Sequence, residues 1–193
     1  MKGQKTPERE RMVQLMEPTT TRILEELAWL RALYSEPPDA TVLARFQDET
    51  RDDAVWTALT QTLEGFATSD LGTEWMRLFE GPGRIPVPLF GSFYLDTGLL
   101  MGPSTQAVLS VYARHGLHPA ATIPADHLAY ELGFCGFLTT QAESDAMQER
   151  KRFAERWVLS WLPAMADSLH QATEIPFFRQ LALSTVAIVG QLV

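Results

Sequence analysis

Apolar side chains recur every three to four residues along most of this chain, the spacing that places them on one face of an α-helix. The first predicted helix follows Pro18, ends before Pro37 and has an apolar face of Ile23, Leu27, Leu30 and Tyr34. Further helices are predicted over 39–48, 55–66, 75–79, 108–116, 124–138, 143–159, 162–169 and 178–192. No segment alternates between apolar and polar residues as a strand would. The pattern therefore predicts an all-α fold, with one domain over 1–193 that includes a polar N-terminal extension over 1–17.

One long segment, from 78 to 103, lacks helical character. Its prolines and glycines interrupt regular structure, because proline has no backbone donor and glycine loses the most entropy on ordering. It also carries large apolar side chains, which solvated linkers rarely have: Ile85, Val87, Leu89, Phe90, Phe93, Tyr94, Leu95, Leu99, Leu100 and Met101. We expect an ordered, Pro/Gly-rich central loop over 80–103 that packs on the core of a compact domain or on a partner. A plain crossover between two helical halves is the alternative.

Composition narrows the class of protein. The 193 residues have a hydrophobic content of 46% and a formal charge of −8, which allows a sizeable core and disfavours a nucleic-acid partner while favouring a basic one. The single cysteine, Cys135, allows no intrachain disulfide and is expected to be an inert buried thiol. Residues 1–17 contain no export signal, and the apolar tail 181–193 is too short to span a bilayer. We therefore expect a cytoplasmic protein without a transmembrane segment.

Asp126, His127 and Glu131 form the sharpest candidate for chemistry. His127 and Glu131 are four residues apart and are predicted to share a helix face, and Asp126 is predicted in the first turn of a helix that Pro124 opens. One histidine and two carboxylates suit a metal site or acid–base catalysis. The second histidine of a metalloprotease helix is missing, however, and Asp126 has the simpler role of stabilising the helix start. We expect no catalytic residue, no metal and no cofactor.

Two other segments lack the features that a nucleotide or nucleophile site requires. Gly81, Pro82 and Gly83 are not followed by the Gly-Lys-Ser/Thr or Gly-x-Gly-x-x-Gly patterns that cradle phosphates. Ser92 lacks the second glycine and the strand-turn-helix context of a nucleophile elbow. A hydrogen-bonding role within the loop suits Ser92 better.

Several short motifs occur together in a specific order. They are Arg-Leu-Phe-Glu-Gly-Pro at 77–82, then Pro86, Pro88, Gly91, Ser92 and Tyr94-Leu95-Asp96, then Asp126 and His127 at a helix start, and Ile-Pro-Phe-Phe at 175–178. In this order and within an all-helical chain of this size, they resemble the TorD/DmsD family of redox-enzyme maturation chaperones, in particular its DmsD branch. The chain carries Gly83 and Phe90 where tryptophans are usual in that branch. The resemblance covers the chain from about residue 20 to its end.

The resemblance implies a cytoplasmic chaperone that binds the twin-arginine (Tat) signal peptide on the precursor of a molybdopterin oxidoreductase subunit, such as a DMSO or TMAO reductase. Such a chaperone holds back export through the Tat translocase, a further implied partner, until the molybdenum cofactor is inserted. The family's peptide-binding surface falls on Gly83, Phe90, Ser92, Tyr94, Asp126 and His127 of this sequence.

The chemistry of a twin-arginine peptide agrees with this implication. Guanidinium groups pair with carboxylates, and an apolar peptide helix lies in a hydrophobic groove. Candidate carboxylates are Glu80, Asp96, Asp126 and Glu131, and Leu89 and Phe90 are candidate apolar walls. The alternative from another class is a metal- or nucleotide-dependent enzyme or switch that uses Asp126, His127 and Glu131. Weak guanine-nucleotide binding is associated with the family, but this sequence has no phosphate loop for it.

Overall fold

The computed structural model describes residues 7–50, 54–120, 122–141 and 144–193. These residues form α1 Pro7–Ser35, α2 Ala40–Glu49, α3 Ala54–Gln61, α4 Thr68–Phe79, α5 Gly91–Leu95, α6 Pro103–Arg114, α7 Leu128–Thr140, α8 Ser144–Phe153, α9 Leu162–Ala172 and α10 Pro176–Gly190, with a π-helical turn at Ala154–Val158. Extended pairing in the described residues is limited to one antiparallel bridge between Phe90 and His127. The all-α prediction is confirmed. None of the described helices is long and apolar enough to cross a membrane.

Helix α7 lies at the centre of the fold, packed between α1 and α8. Its mostly apolar sequence is buried on several sides, as expected for a helix surrounded by others. The buried residues are Leu128, Ala129, Glu131, Leu132, Phe134, Cys135 and Leu138. This set confirms the predicted apolar stripe of Leu128, Leu132, Cys135 and Leu138. All of these apolar side chains except Ala129 belong to one contiguous core cluster.

Two buried side-chain hydrogen bonds join α1 to other helices. The Trp75 indole Nε1 of α4 donates to the Leu33 carbonyl at 2.9 Å. The hydroxyls of Tyr34 in α1 and Thr185 in α10 lie 3.1 Å apart. The polar groups of the buried Trp75 and Tyr34 side chains therefore have partners, which removes most of the cost of burying these two groups.

The ends of several helices differ from the prediction. Helix α4 begins at Thr68 and α6 at Pro103, each earlier than predicted. Helix α1 begins at Pro7 and runs through Pro18, so the prediction that it follows Pro18 is wrong; proline removes one backbone donor without forcing a helix to end there. The first six residues of the predicted extension lie outside the described part of the chain. Helix α3 ends at Gln61, because the amide of Thr62 bonds to the Leu59 carbonyl in a tighter turn.

The predicted charged helix over 143–159 also changes character along its length. Its α-helical part ends at Phe153, and the amide of Leu159 then bonds to the Ala154 carbonyl at 2.8 Å, the five-residue spacing of a π-helix. Beyond this wider turn, the Trp161 indole Nε1 donates to the Trp157 carbonyl and to the Glu131 carboxyl. The π-helical turn thus directs Trp161 toward α7.

The central loop is ordered, as predicted, and part of it packs on the core. Val87 and Leu89 are fully buried, whereas Leu99, Leu100 and Met101 are exposed. The prediction that 78–103 lacks helical character is wrong for one turn, because α5 spans Gly91–Leu95.

Asp96 fixes the end of this loop. Its carboxylate accepts hydrogen bonds from the Ser104 amide at 2.9 Å and from the Ser104 hydroxyl at 2.8 Å, in the first turn of α6. A Cβ at Gly102 would clash with the Asp96 carboxylate, so glycine allows this close approach. Asp96 therefore stabilises the start of α6.

We expect Asp96→Ala to lower the free energy of unfolding by about 1 kcal/mol, because loss of a capping carboxylate at a helix start typically costs that much. Urea unfolding of both proteins measures the change. Glu64→Ala, at an exposed carboxylate before α4, is the control and is expected to change stability by less than about 0.5 kcal/mol. Equal effects of the two substitutions would contradict the capping role.

Candidate functional site

The segment that precedes α5 is held against the residues that precede α7. Three hydrogen bonds join the two segments: Leu128 N to Leu89 O at 2.8 Å, Gly91 N to Asp126 O at 3.0 Å, and Ser92 N to Asp126 Oδ2 at 2.6 Å. These bonds satisfy backbone groups that would otherwise be buried without partners. They also bring Phe90 beside His127, with ring centroids 5.1 Å apart and edge to face.

Asp126 lies before α7 and is completely buried, with 0% of its surface exposed. The prediction that it lies in the first helical turn is wrong, because α7 begins at Leu128 and His127 is its N-cap. The Asp126 carboxylate instead accepts the Ser92 amide at the start of α5. In this arrangement Asp126 positions the loop from inside the fold and has no surface to offer a ligand.

Glu131 is also completely buried, with 0% exposed. Its Oε2 accepts a hydrogen bond from the Trp161 indole at 3.2 Å. Burial raises the pKa of Glu131 well above its ordinary value, and the nearby charge of Asp126 raises that pKa further. Glu131 therefore favours its protonated form, and its carboxyl group lies in the core, away from the surface that His127 lines.

His127 is half-buried and uncharged at neutral pH. Burial lowers its pKa to about 4, although the neighbouring Asp126 acts in the opposite direction. The His127 Nδ1 accepts the Ala129 amide at 3.2 Å, which places the ring proton on Nε2. The imidazole also meets the Tyr130 ring edge to face, with centroids 6.1 Å apart.

His127 lines a surface pocket of about 160 Å³, here called the Phe90 pocket. It lies between the ends of α1 and α4 and the start of α7, and its lining residues are Ser35, Glu80, Phe90, Thr122, Ile123, Pro124, His127, Ala129 and Tyr130. Most of this wall is apolar or aromatic, and Glu80 is its one carboxylate. The pocket can therefore hold an apolar or cationic side chain.

A second cavity of about 300 Å³, here called the Phe134 groove, adjoins the first. Its lining residues are Arg31, Tyr112, Leu117, His118, Pro119, Ala129, Tyr130, Gly133, Phe134 and Phe137. Ala129 and Tyr130 line both cavities, so the two form neighbouring parts of one surface. Together they present a small aromatic pocket beside a larger, mainly apolar cavity.

The structure brings only part of the predicted site to this surface. Phe90 and His127 line the Phe90 pocket. The other predicted residues lie elsewhere: Leu89, Ser92, Asp126 and Glu131 are buried, Tyr94 is half-buried and stacked on Trp161, and Gly83 is exposed on a turn that does not line the pocket. A direct contact of all these residues with one ligand remains a prediction.

The residues that sequence reasoning missed come from two places. Tyr130 lies three residues after His127, and this spacing within the predicted helix over 124–138 was a signal that could have identified it. Thr122, Ile123 and Pro124 lie in the connection before α7, where no periodic pattern marks the facing side chains.

Within the described ranges, no group of three or more histidine, cysteine, aspartate or glutamate side chains could hold a metal ion. The candidate trio is divided between two environments, because Asp126 and Glu131 are in the interior and the His127 imidazole lines a surface pocket.

Comparison with known proteins gives consistent results. A family model described as the nitrate reductase delta subunit matches residues 47–167. Chaperone protein TorD of Vibrio cholerae is 28% identical over 135 residues, which cover 65% of this chain and 61% of that protein. The Tat proofreading chaperone DmsD of Salmonella typhi is 30% identical over 119 residues, which cover 58% of this chain and 57% of that protein. The chain thus spans about three fifths of the length of these curated relatives.

A solved structure has the same fold. The crystal structure of a proposed redox enzyme maturation protein from Archaeoglobus fulgidus superposes with a TM-score of 0.62 at 20% identity, covering 86% of this chain and 91% of that one. The predicted resemblance to redox-enzyme maturation chaperones is confirmed by the family match and by the named relatives.

We expect Glu131→Gln to flatten the dependence of stability on pH. The folded state raises the pKa of Glu131 above its ordinary value of 4.5, so this group makes the folded state progressively less stable as pH rises above that value. Glutamine keeps the shape of the protonated carboxyl and cannot ionise. Urea unfolding at pH 5 and pH 8 should therefore show the variant gaining stability relative to wild type at the higher pH. If the difference in stability between the variant and wild type is the same at both pH values, ionisation of Glu131 does not destabilise the folded state.

Asp126→Ala is expected to lower the free energy of unfolding by about 2 kcal/mol, because it leaves the buried Ser92 amide without its charged acceptor. Asp126→Asn keeps an acceptor oxygen and is expected to lose less. Chemical unfolding of the three proteins checks this order. Wild-type stability in Asp126→Ala would contradict the positioning role.

Proposed function

Because the chain belongs to the nitrate reductase delta subunit family and resembles its TorD and DmsD chaperones, we propose that it binds the twin-arginine signal peptide of a molybdenum-containing oxidoreductase subunit. In this role it acts in the cytoplasm as a chaperone, without catalysing a reaction. It keeps the precursor from the Tat translocase until the cofactor has been inserted.

The observation that supports this proposal most directly is the adjoining pair of cavities. A signal peptide presents arginines followed by an apolar segment, and amphipathic peptides bind in grooves with an apolar floor. The Phe90 pocket offers aromatic walls and the Glu80 carboxylate, and the Phe134 groove continues as a mainly apolar surface. The two cavities therefore follow one another in the same order as the arginines and the apolar segment along the peptide.

Charge supports the same ligand. The chain has a formal charge of −8, which attracts a cationic segment over the distance set by the ionic strength. Within the pocket the His127 imidazole is neutral at physiological pH, because burial lowers its pKa to about 4. A guanidinium entering the pocket is thus not repelled by this residue.

We expect Phe90→Ala to weaken peptide binding at least about fivefold, because removal of an aromatic anchor at an interface centre usually costs more than 1 kcal/mol. The probe is a synthetic peptide with two consecutive arginines followed by a leucine-rich segment, titrated calorimetrically at two salt concentrations. The salt dependence should stay close to that of wild type, because apolar contacts are not screened.

Phe66→Ala is the matched control, since Phe66 is a partly exposed phenylalanine that lines neither cavity. It should leave the affinity unchanged. Absence of binding to the wild-type protein would refute the proposed function. Equal losses of affinity in Phe90→Ala and Phe66→Ala would show that the peptide does not bind at the Phe90 pocket.

A further inference from the structure

A peptide with paired arginines needs a carboxylate that it can reach, and the structure separates the candidates. Asp126 and Glu131 are 0% exposed. Asp96 accepts the Ser104 amide and hydroxyl and lines neither cavity. Among the carboxylates indicated by the sequence, Glu80 is therefore the one whose side chain is exposed and makes no such structural hydrogen bond.

Glu80 is held in place by its backbone while its side chain stays available. It follows the last residue of α4, and its amide donates to the Met76 carbonyl at 3.0 Å as the helix cap. The side chain makes no ion pair with the described residues. It lines the Phe90 pocket together with Phe90, His127 and Tyr130.

The walls around Glu80 suit a guanidinium group. Arginine pairs with carboxylates through its planar fork and stacks on aromatic faces, and both partners occur here in one small pocket. The neutral imidazole of His127 adds no competing positive charge. Arg31 lines the adjoining Phe134 groove, and its positive charge disfavours binding of the peptide arginines in that groove.

We propose that Glu80 binds one guanidinium of the twin-arginine pair and so fixes the direction of the peptide, with its arginines at the Phe90 pocket and its apolar segment in the Phe134 groove. This inference rests on the proposed function. It assigns the recognition of arginine to Glu80, a residue of the α4 terminus, and leaves Asp126 with a positioning role inside the fold.

A double-mutant cycle tests this pairing. Wild type and Glu80→Gln are each titrated with the twin-arginine peptide and with the same peptide carrying glutamines in place of the arginines. Glu80→Gln should weaken binding of the arginine peptide about fivefold and leave binding of the glutamine peptide unchanged. Glu64→Gln, at an exposed carboxylate before α4 that lines neither cavity, is the matched control and should behave as wild type.

A charge exchange provides the second measurement. Glu80→Arg should bind the arginine peptide more weakly than Glu80→Gln does, and replacing one peptide arginine by glutamate should restore binding to Glu80→Arg alone. If wild type prefers the arginine peptide and Glu80→Gln keeps the whole preference, the pairing is refuted while peptide binding stands. Equal binding of both peptides by wild type also refutes the pairing. Binding of neither peptide refutes the proposed function itself.

Discussion

The pairing of residues 89–92 with residues 126–128 is the constraint on which the candidate site depends. A segment rich in proline and glycine cannot satisfy its own backbone groups, so burying it requires partners from elsewhere. The Leu128 amide and the Asp126 backbone and side chain supply them. The chain approaches so closely here that a Cβ at Gly91 would lie 2.9 Å from the Trp161 indole nitrogen. Phe90 reaches the surface beside His127 because the residues on either side of it are anchored.

The two buried carboxyl groups have different consequences for this anchor. Asp126 accepts a backbone amide, which compensates part of the cost of burying its charge. Glu131 accepts a hydrogen bond from the Trp161 indole. Its raised pKa indicates that protonation compensates the remaining cost of burying this carboxyl group. The π-helical turn matters for this reason, since it directs Trp161 toward Glu131 and Gly91. Helix α7, the loop and the last third of the chain are thus joined by polar contacts within an otherwise apolar core.

The sequence was informative where apolar periodicity and proline decide the structure. The all-α class, the end of α1 before Pro37 and the apolar stripe of α7 follow from local pattern, and the family follows from motifs in a fixed order. The position of Asp126 outside α7 and its role could not be predicted, because they involve a backbone amide that its carboxylate accepts from another part of the chain. That amide belongs to Ser92, thirty-four positions earlier in the chain. The four-residue spacing of His127 and Glu131 suggested a shared helix face, but His127 is the N-cap and lines a pocket, whereas Glu131 is in the core.

The site also separates residues that hold the loop from residues that define what it binds. The holding residues, Gly91, Asp126 and Trp161, are buried, and changes in them affect the geometry of the whole surface. The lining residues come from the ends of α1 and α4, the loop, the connection before α7 and the first turn of α7. Side chains at these ends contribute little to the core, so a substitution there can alter the shape or charge of the pocket at small cost in stability. Phe90 combines both roles, because its backbone pairs with His127 while its side chain forms part of the pocket wall.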